Sequence, residues 1–392
     1  LNPVSTFNSR IVPTARQHVP RQVRFTVMGS CPPTLGGSAR FSAGLVAALR
    51  QGGSEVEVIR VGDSASPWHD PGAGDAGAGT ARSMAECATL LGRGDVAVIQ
   101  HDDGLYGGTH GDELLGLIDR LEVPTLVVVH SVPQHPEPHQ RWVLERIAAS
   151  ADRLVVLSEA ARERLCRDYA VERARVVTIP HGGTVPTVAR SKRASRPVIL
   201  TWGLLRPGMG VERVIDAMGS LQDAPGRPRY LVVGPTHPDE LTANGEAYRE
   251  ARIEQARRLA VSGSVSFDPR LYDGEMLTTL IQSASVVVLP YDSTDQVTSS
   301  VLVDAVVTGR PVVATAFPHA LEMLCGGAGL VVDRDDPAAL AAALRQVLTQ
   351  PRLAGSMAAE ARQLAAQVAW PVVAEAYLGL ARRSLAERQR RS

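Results

Sequence analysis

The chain has 392 residues, with 41 basic and 41 acidic side chains and a formal net charge of zero. That length suffices for two domains with separate cores, and the neutral balance argues against nonspecific nucleic-acid binding. Hydrophobic residues make up 44% of the chain without any apolar run of transmembrane length, and Cys31, Cys87, Cys166 and Cys325 form no CxxC pair. These features predict a soluble protein in a reduced, cytoplasmic compartment, with no zinc site.

The predicted elements alternate along the chain. Residues 1–20 lack the apolar core of a signal peptide and read as a loose tail. An apolar strand follows at Val23–Met28, then the loop GSCPPTLGGS, a helix from about Ala39 to Arg50 closed by Gly52 and Gly53, and a strand at Glu55–Val61. Residues 62–80, rich in Gly, Ala, Pro and Asp, read as a surface loop. Further buried strands fall at Val96–Gln100, Thr125–Val129, Leu154–Leu157 and Val176–Pro180. Residues 186–197 lack periodicity and read as a linker. They contain Lys192, the only lysine of the chain, and this polar setting is unsuited to Schiff-base chemistry; a P-loop lysine is also absent. The second half repeats the pattern, with strands at Val198–Trp202, Tyr230–Val233, Val265–Phe267, Val286–Leu289, Val312–Ala314 and Gly329–Val332. A helix from about Val372 closes the chain. The alternation predicts two doubly wound parallel-sheet, Rossmann-like domains, at 21–185 and 198–370, facing a deep cleft, with residues 371–392 as a terminal helix.

Residues 289–322, LPYDSTDQVTSSVLVDAVVTGRPVVATAFPHALE, are the most informative segment. Pro290 ends a strand, Ser299 or Ser300 caps a helix beginning near Val301, Gly309 stops it, and Pro311 bars its continuation. The helix start therefore lies at the carboxyl end of a parallel strand, where open α/β sheets bind ligands and where free N–H groups favour phosphate. Thr298, Ser299 and Ser300 are the phosphate candidates, and Asp304, one turn inside, can reach a ribose hydroxyl.

This segment resembles the donor-binding signature of the retaining GT-B glycosyltransferases of the GT4 family, which reads E-x7-E and then G-x-P-V-V-A. Here the frame is Gln296, seven residues, Asp304, then Gly309 to Ala314. Glu322 falls where the family carries its G-G-x-x-E glutamate, with Pro318 and His319 replacing the two glycines. The resemblance covers nearly the whole ordered chain. It implies the GT-B fold, a nucleotide-sugar donor, no cofactor or metal, and a terminal helix that crosses back to the first domain.

Other landmarks take roles from the same resemblance. Gly36 and Gly37 either let backbone N–H groups approach a ligand or form a plain flexible turn. Asp102 and Asp103 read first as solvated loop acids and second as contacts to an acceptor hydroxyl. His130 ends a buried strand; the family histidine there faces the transferred sugar, and the other reading is a structural cap. His135 and His139 are no metal pair, because Pro136 and Pro138 break the helix that would align them. The stretch IPHGG at 179–183 resembles a family turn, and the nucleotide base is expected near Phe267–Leu271. The basic C-terminal end, which includes Arg382, Arg383, Arg388, Arg390 and Arg391, reads first as a solvated helix end, with weak peripheral contact to an anionic membrane as the second reading.

The main departure lies in TWGLLRPGMGVERVIDAM, residues 201–218. The family reads G-R-L-x-x-x-K-G there, and its Arg and Lys clamp the donor diphosphate. Gly203 remains, but Leu204 and Met209 replace the two charges. Arg206 compensates, or the donor lacks a diphosphate, or the chain is a weak or inactive relative. The leading expectation is a retaining hexosyltransferase with His130, Gln296 and Glu322 at the sugar. Gly36, Gly37, Gly203, Arg206, Thr298, Ser299, Ser300 and Asp304 then bind the donor, and the acceptor is a glycan, lipid or small molecule. The alternative is a catalytically degenerate GT-B protein that binds a glycan or nucleotide or supports a partner enzyme.

Overall fold

Among the described residues twelve short segments form strands, most of them bounded by turn residues and rich in valine, isoleucine and leucine. The computed structural model describes residues 22–61, 83–187 and 196–391. The 1–20 tail, the 62–80 loop, most of the 186–197 linker and Lys192 lie outside the described residues.

The first sheet contains β1 (Arg24–Gly29), β2 (Glu55–Arg60), β3 (Val96–His101), β4 (Thr125–Val129), β5 (Arg153–Val156) and β6 (Val176–Thr178). The second contains β7 (Val198–Trp202), β8 (Arg229–Val233), β9 (Val265–Asp268), β10 (Val286–Leu289), β11 (Val312–Thr315) and β12 (Gly329–Val332). Every predicted strand is present, with ends shifted by at most two residues.

All pairings in both sheets are parallel. The orders are β2-β1-β3-β4-β5-β6 and β12-β11-β10-β7-β8-β9. The strand order therefore reverses beside β1 in one sheet and beside β7 in the other. These are the two crevices where such sheets hold ligands.

Each sheet is buried on both faces. Helices cover the first sheet with two apolar layers, one around Ile99, Leu117 and Ile147 and the other around Phe25, Phe41 and Leu45. Val373, Tyr377 and Leu380 of the helix Trp370–Arg391 belong to the second of these layers. The last helix thus completes the first sheet's core, against the helix Gly37–Gln51. Trp370 fixes this return: a Cβ on Gly44 or Gly182 would come within 2.2 Å of its indole. At the far end, Arg388 Nη2 donates to Asp152 Oδ2 at 3.0 Å, so this member of the basic group is folded onto the first domain.

Candidate active site

Three loops meet between the carboxyl ends of the two sheets: 30–36 after β1, 203–210 after β7 and 290–299 after β10. The last two are joined directly, because Asp292 N donates to Gly208 O at 2.8 Å. Gly210 makes their approach possible. It has φ 70°, and a Cβ there would lie 1.8 Å from the Pro290 carbonyl oxygen. The loops bound a cleft of about 870 Å³.

Two helix N-termini face one another across this cleft. The helix Gly37–Gln51 starts after Gly36, which has φ 131° and offers no side-chain cap. The helix Ser300–Val307 starts after Ser299, whose hydroxyl accepts from Leu302 N at 3.2 Å. A Cβ on Gly37 would lie 3.4 Å from Ser300 Oγ, an ordinary contact distance, so the two ends lie close to one another. Each end carries a partial positive charge of about half a unit and N–H groups that no helical carbonyl satisfies. Together they form an anion cradle.

Gly36, Gly37, Gly203, Arg206, Gln296 and Ser300 all line the cleft. Arg206 is exposed there, with no ion pair among the described residues. Arg270 also lines the cleft, but Asp268 holds it at 2.6 Å. That hydrogen bond pulls the Asp268 carboxyl well below its ordinary range. The neighbouring Leu271 and Tyr272 line the same wall, close to the stretch expected at the nucleotide base.

Four sequence expectations need correction. Of Thr298, Ser299 and Ser300, only Ser300 lines the cleft. Ser299 N donates to His319 Nδ1 at 2.9 Å, and Thr298 lies off the cleft wall; Ser300 and Val301 are the residues that line it. His319, standing where the family has glycine, thus consumes one donor.

Asp304 does not face the cleft. It accepts from Arg40 Nη2 of the first domain. Burial raises its pKa, and the Arg40 charge works in the opposite direction. Arg40 itself reaches the cleft wall.

Glu322 does not face the cleft either. Its carboxylate accepts from Glu159 N at 3.0 Å and Ala160 N at 2.8 Å, capping the first-domain helix Glu159–Asp168. A carboxylate on a helix N-terminus is favourable, so this side chain joins the domains.

His130 lies behind the wall. Its Nε2 is 2.7 Å from Gln100 Oε1 of β3, and its ring meets Phe41 edge-on at 5.1 Å. Burial pushes its pKa down to about 4, so the imidazole is neutral at pH 7.

Three residues that the sequence did not single out hold the 290–299 loop to the first domain. Arg164, 6% exposed, donates to Val132 O and Asp295 O, both at 2.9 Å, and to Thr294 O at 3.2 Å. Val297 is buried in the first domain's core, and Ser158 Oγ donates to its carbonyl at 2.6 Å. An arginine and a serine in helical context carry no signal for contacts more than a hundred residues away. Arg40 had a weak one, lying one turn inside the helix that follows Gly36 and Gly37.

The family comparisons agree with this geometry. The model described as Glycosyltransferase Family 4 matches residues 35–183, and the model described as Glycosyl transferases group 1 matches residues 188–364. The chain belongs to the GT4-type glycosyltransferases of the GT-B fold. Among curated relatives of this transferase, the D-inositol 3-phosphate glycosyltransferase of Kineococcus radiotolerans is 28% identical over 305 residues, covering 69% of this chain and 68% of that protein. The enzyme of the same description from Corynebacterium urealyticum is 30% identical over 266 residues, covering 63% and 61%. The matched region thus spans about two thirds of these relatives' own length. Two solved structures share the fold. Anabaena HepE in complex with UDP and glucose has a TM-score of 0.69 at 16% identity, covering 92% of this chain and 99% of that one. Sucrose-phosphate synthase from Thermosynechococcus elongatus has a TM-score of 0.71 at 20% identity, covering 94% and 100%.

Proposed function

We propose that this GT4-type transferase moves a hexose from a nucleoside diphosphate sugar to an acceptor hydroxyl with retention at the anomeric carbon. The observation that carries this reading is the pair of helix N-termini that line one cleft, at Gly36–Gly37, where no side chain caps the helix, and at Ser300–Val301, where Ser299 caps only Leu302 N. Such a pair suits a diphosphate, whose charge increases as it departs. Donors fixed in advance where charge develops lower the barrier to leaving. Arg206, exposed on the same wall, supplies the cationic charge that Leu204 and Met209 do not.

Retention without a protein nucleophile is the path that suits this set of residues. The acceptor oxygen forms its bond to the anomeric carbon on the face from which the diphosphate oxygen departs. The acceptor proton passes to that departing oxygen, so no side-chain base is required. Neutral His130, seated behind the wall, serves as a hydrogen-bonding partner rather than as an acid at pH 7.

HepE was solved with UDP and with glucose, and a uridine diphosphate sugar is the first donor to test here. Calorimetric titration with UDP, GDP and ADP should give one nucleotide micromolar affinity. NMR of the product formed from the matching sugar nucleotide should then show the donor's anomeric configuration retained. Inversion would reject the mechanism. Tight nucleotide binding without transfer to any acceptor would assign the chain a binding role instead.

A further inference from the structure

The first-domain wall of the cleft continues outward as a strip of acidic and aromatic side chains. Asp102 and Asp103, in the loop after β3, line the cleft itself. Asp103 Oδ1 lies 3.2 Å from His110 Nδ1, and its Oδ2 accepts from Gln140 Nε2 at 2.8 Å. His110 Nε2 lies 3.3 Å from Glu137 Oε2. The His110 ring is 6.0 Å from that of His139, which lies 5.2 Å from the indole of Trp142. His139 Nε2 is also 3.4 Å from Asp112.

Three features mark this strip as more than a solvated edge. His110 holds φ 54°, a left-handed conformation that a non-glycine residue adopts at a cost, and its imidazole thereby bridges Asp103 and Glu137. Trp142 is 47% exposed on a helix whose other large apolar residues, Val143, Leu144 and Ile147, are buried. A half-exposed indole beside carboxylates and imidazoles suits a sugar ring, with its C–H face on the aromatic plane and its hydroxyls on the polar rim. His101 is 6% exposed, and neither of its ring nitrogens has a partner among the described residues. It lines a void of about 10 Å³ with Asp103, His110 and Gln140, close to the size of one water or hydroxyl group.

The charge along the strip selects among acceptors. Asp102, Asp103, Asp112 and Glu137 supply four carboxylates. No arginine is hydrogen-bonded to any of these four among the contacts described. A phosphate on the acceptor would meet like charge here; a hydroxyl or an amine would meet hydrogen-bond acceptors.

We propose that the acceptor is a phosphate-free saccharide of two or more rings, running from the cleft wall at Asp103 out over His110, His139 and Trp142. This rests on the transferase reading above and names its acceptor class. It sets this chain apart from relatives whose descriptions name a phosphorylated cyclitol.

The test uses the full chain, with and without UDP, and saturation-transfer NMR against glucose, a set of neutral di- and trisaccharides, and myo-inositol 3-phosphate. At least one neutral oligosaccharide should bind more tightly than glucose or the inositol phosphate. Trp142→Ala should weaken that binding about tenfold, Trp142→Phe should keep most of it, and UDP affinity, read at the opposite wall, should stay constant. Preference for the inositol phosphate, no binding of any neutral oligosaccharide, or equal binding by Trp142→Ala would overturn the assignment. Failure to bind any nucleotide would defeat the donor reading, and the saccharide titration would still decide the acceptor strip separately.

Discussion

Asp304 and Arg40 offer a sharp test of how the two domains share the donor. Asp304 stands in the register of the ribose-binding acid, yet its carboxylate accepts from Arg40 across the domain boundary. The Asp304 side chain is 14% exposed and that of Arg40 is 40% exposed. Arg40 also lines the cleft, so the aspartate orients a cation toward the anion cradle, and the pair should act as one unit. A charged hydrogen bond contributes about 1.5–3 kcal/mol when well shielded. With Arg40 this exposed, screening reduces that to ~1–2 kcal/mol in UDP affinity, about five- to thirtyfold. Asp304→Ala and Arg40→Ala should each show this loss by calorimetry, and the double variant should lose no more than the worse single. The losses should shrink at high salt. Additive losses would refute the reasoning, because they would mean that Asp304 touches the nucleotide independently of Arg40. Unchanged affinity in both single variants would remove the pair from the site altogether.

Further outcomes can be checked on the same protein. Met209 is 8% exposed and packs with Leu205 and Val211 while reaching the cleft wall. Met209→Lys should raise UDP affinity about tenfold while lowering stability by ~1–2 kcal/mol as its amine snorkels out of that cluster; Arg206→Ala should lower affinity. A Met209→Lys variant that binds no better, together with unchanged affinity in Arg206→Ala, would mean that the cleft does not take a diphosphate. Glu322→Ala removes the cap of the Glu159–Asp168 helix and should reduce stability in urea by ~1–2 kcal/mol, whereas a residue serving only the sugar would leave stability unchanged. Burial holds His130 and His319 down to about 4 and His181 down to about 3, against an ordinary 6.5. Between those values and 6.5 the unfolded chain binds the protons that the folded chain refuses. Stability is therefore complete above pH 6.5 and falls as the solution is acidified, by about 1–2 kcal/mol per histidine between pH 7.5 and 5. A urea midpoint that stays flat over that range would refute the buried, neutral state of these rings.

The sequence by itself determined the strands, the two sheets and the loops at their carboxyl ends. Apolar runs such as Val286–Leu289, bounded by Pro290 and helix caps, have one stable solution, a strand buried on both faces. Local rules of this kind also placed Ser299 as a cap and Gly36, Gly37 and Gly203 at the cleft, since turn chemistry depends on near neighbours. Tertiary structure decided which polar groups remain free for a ligand. Ser299 N–H, Asp304 and Glu322 all sit where the motif puts them, but His319, Arg40 and the 159–168 helix take them up. The partner of Ser299 is 20 positions away along the chain, that of Glu322 is 163 and that of Asp304 is 264. A hydrogen-bonding group reports its chemistry locally, but its occupancy is settled by whatever the folded chain brings within about 3 Å, and no periodicity or spacing encodes that.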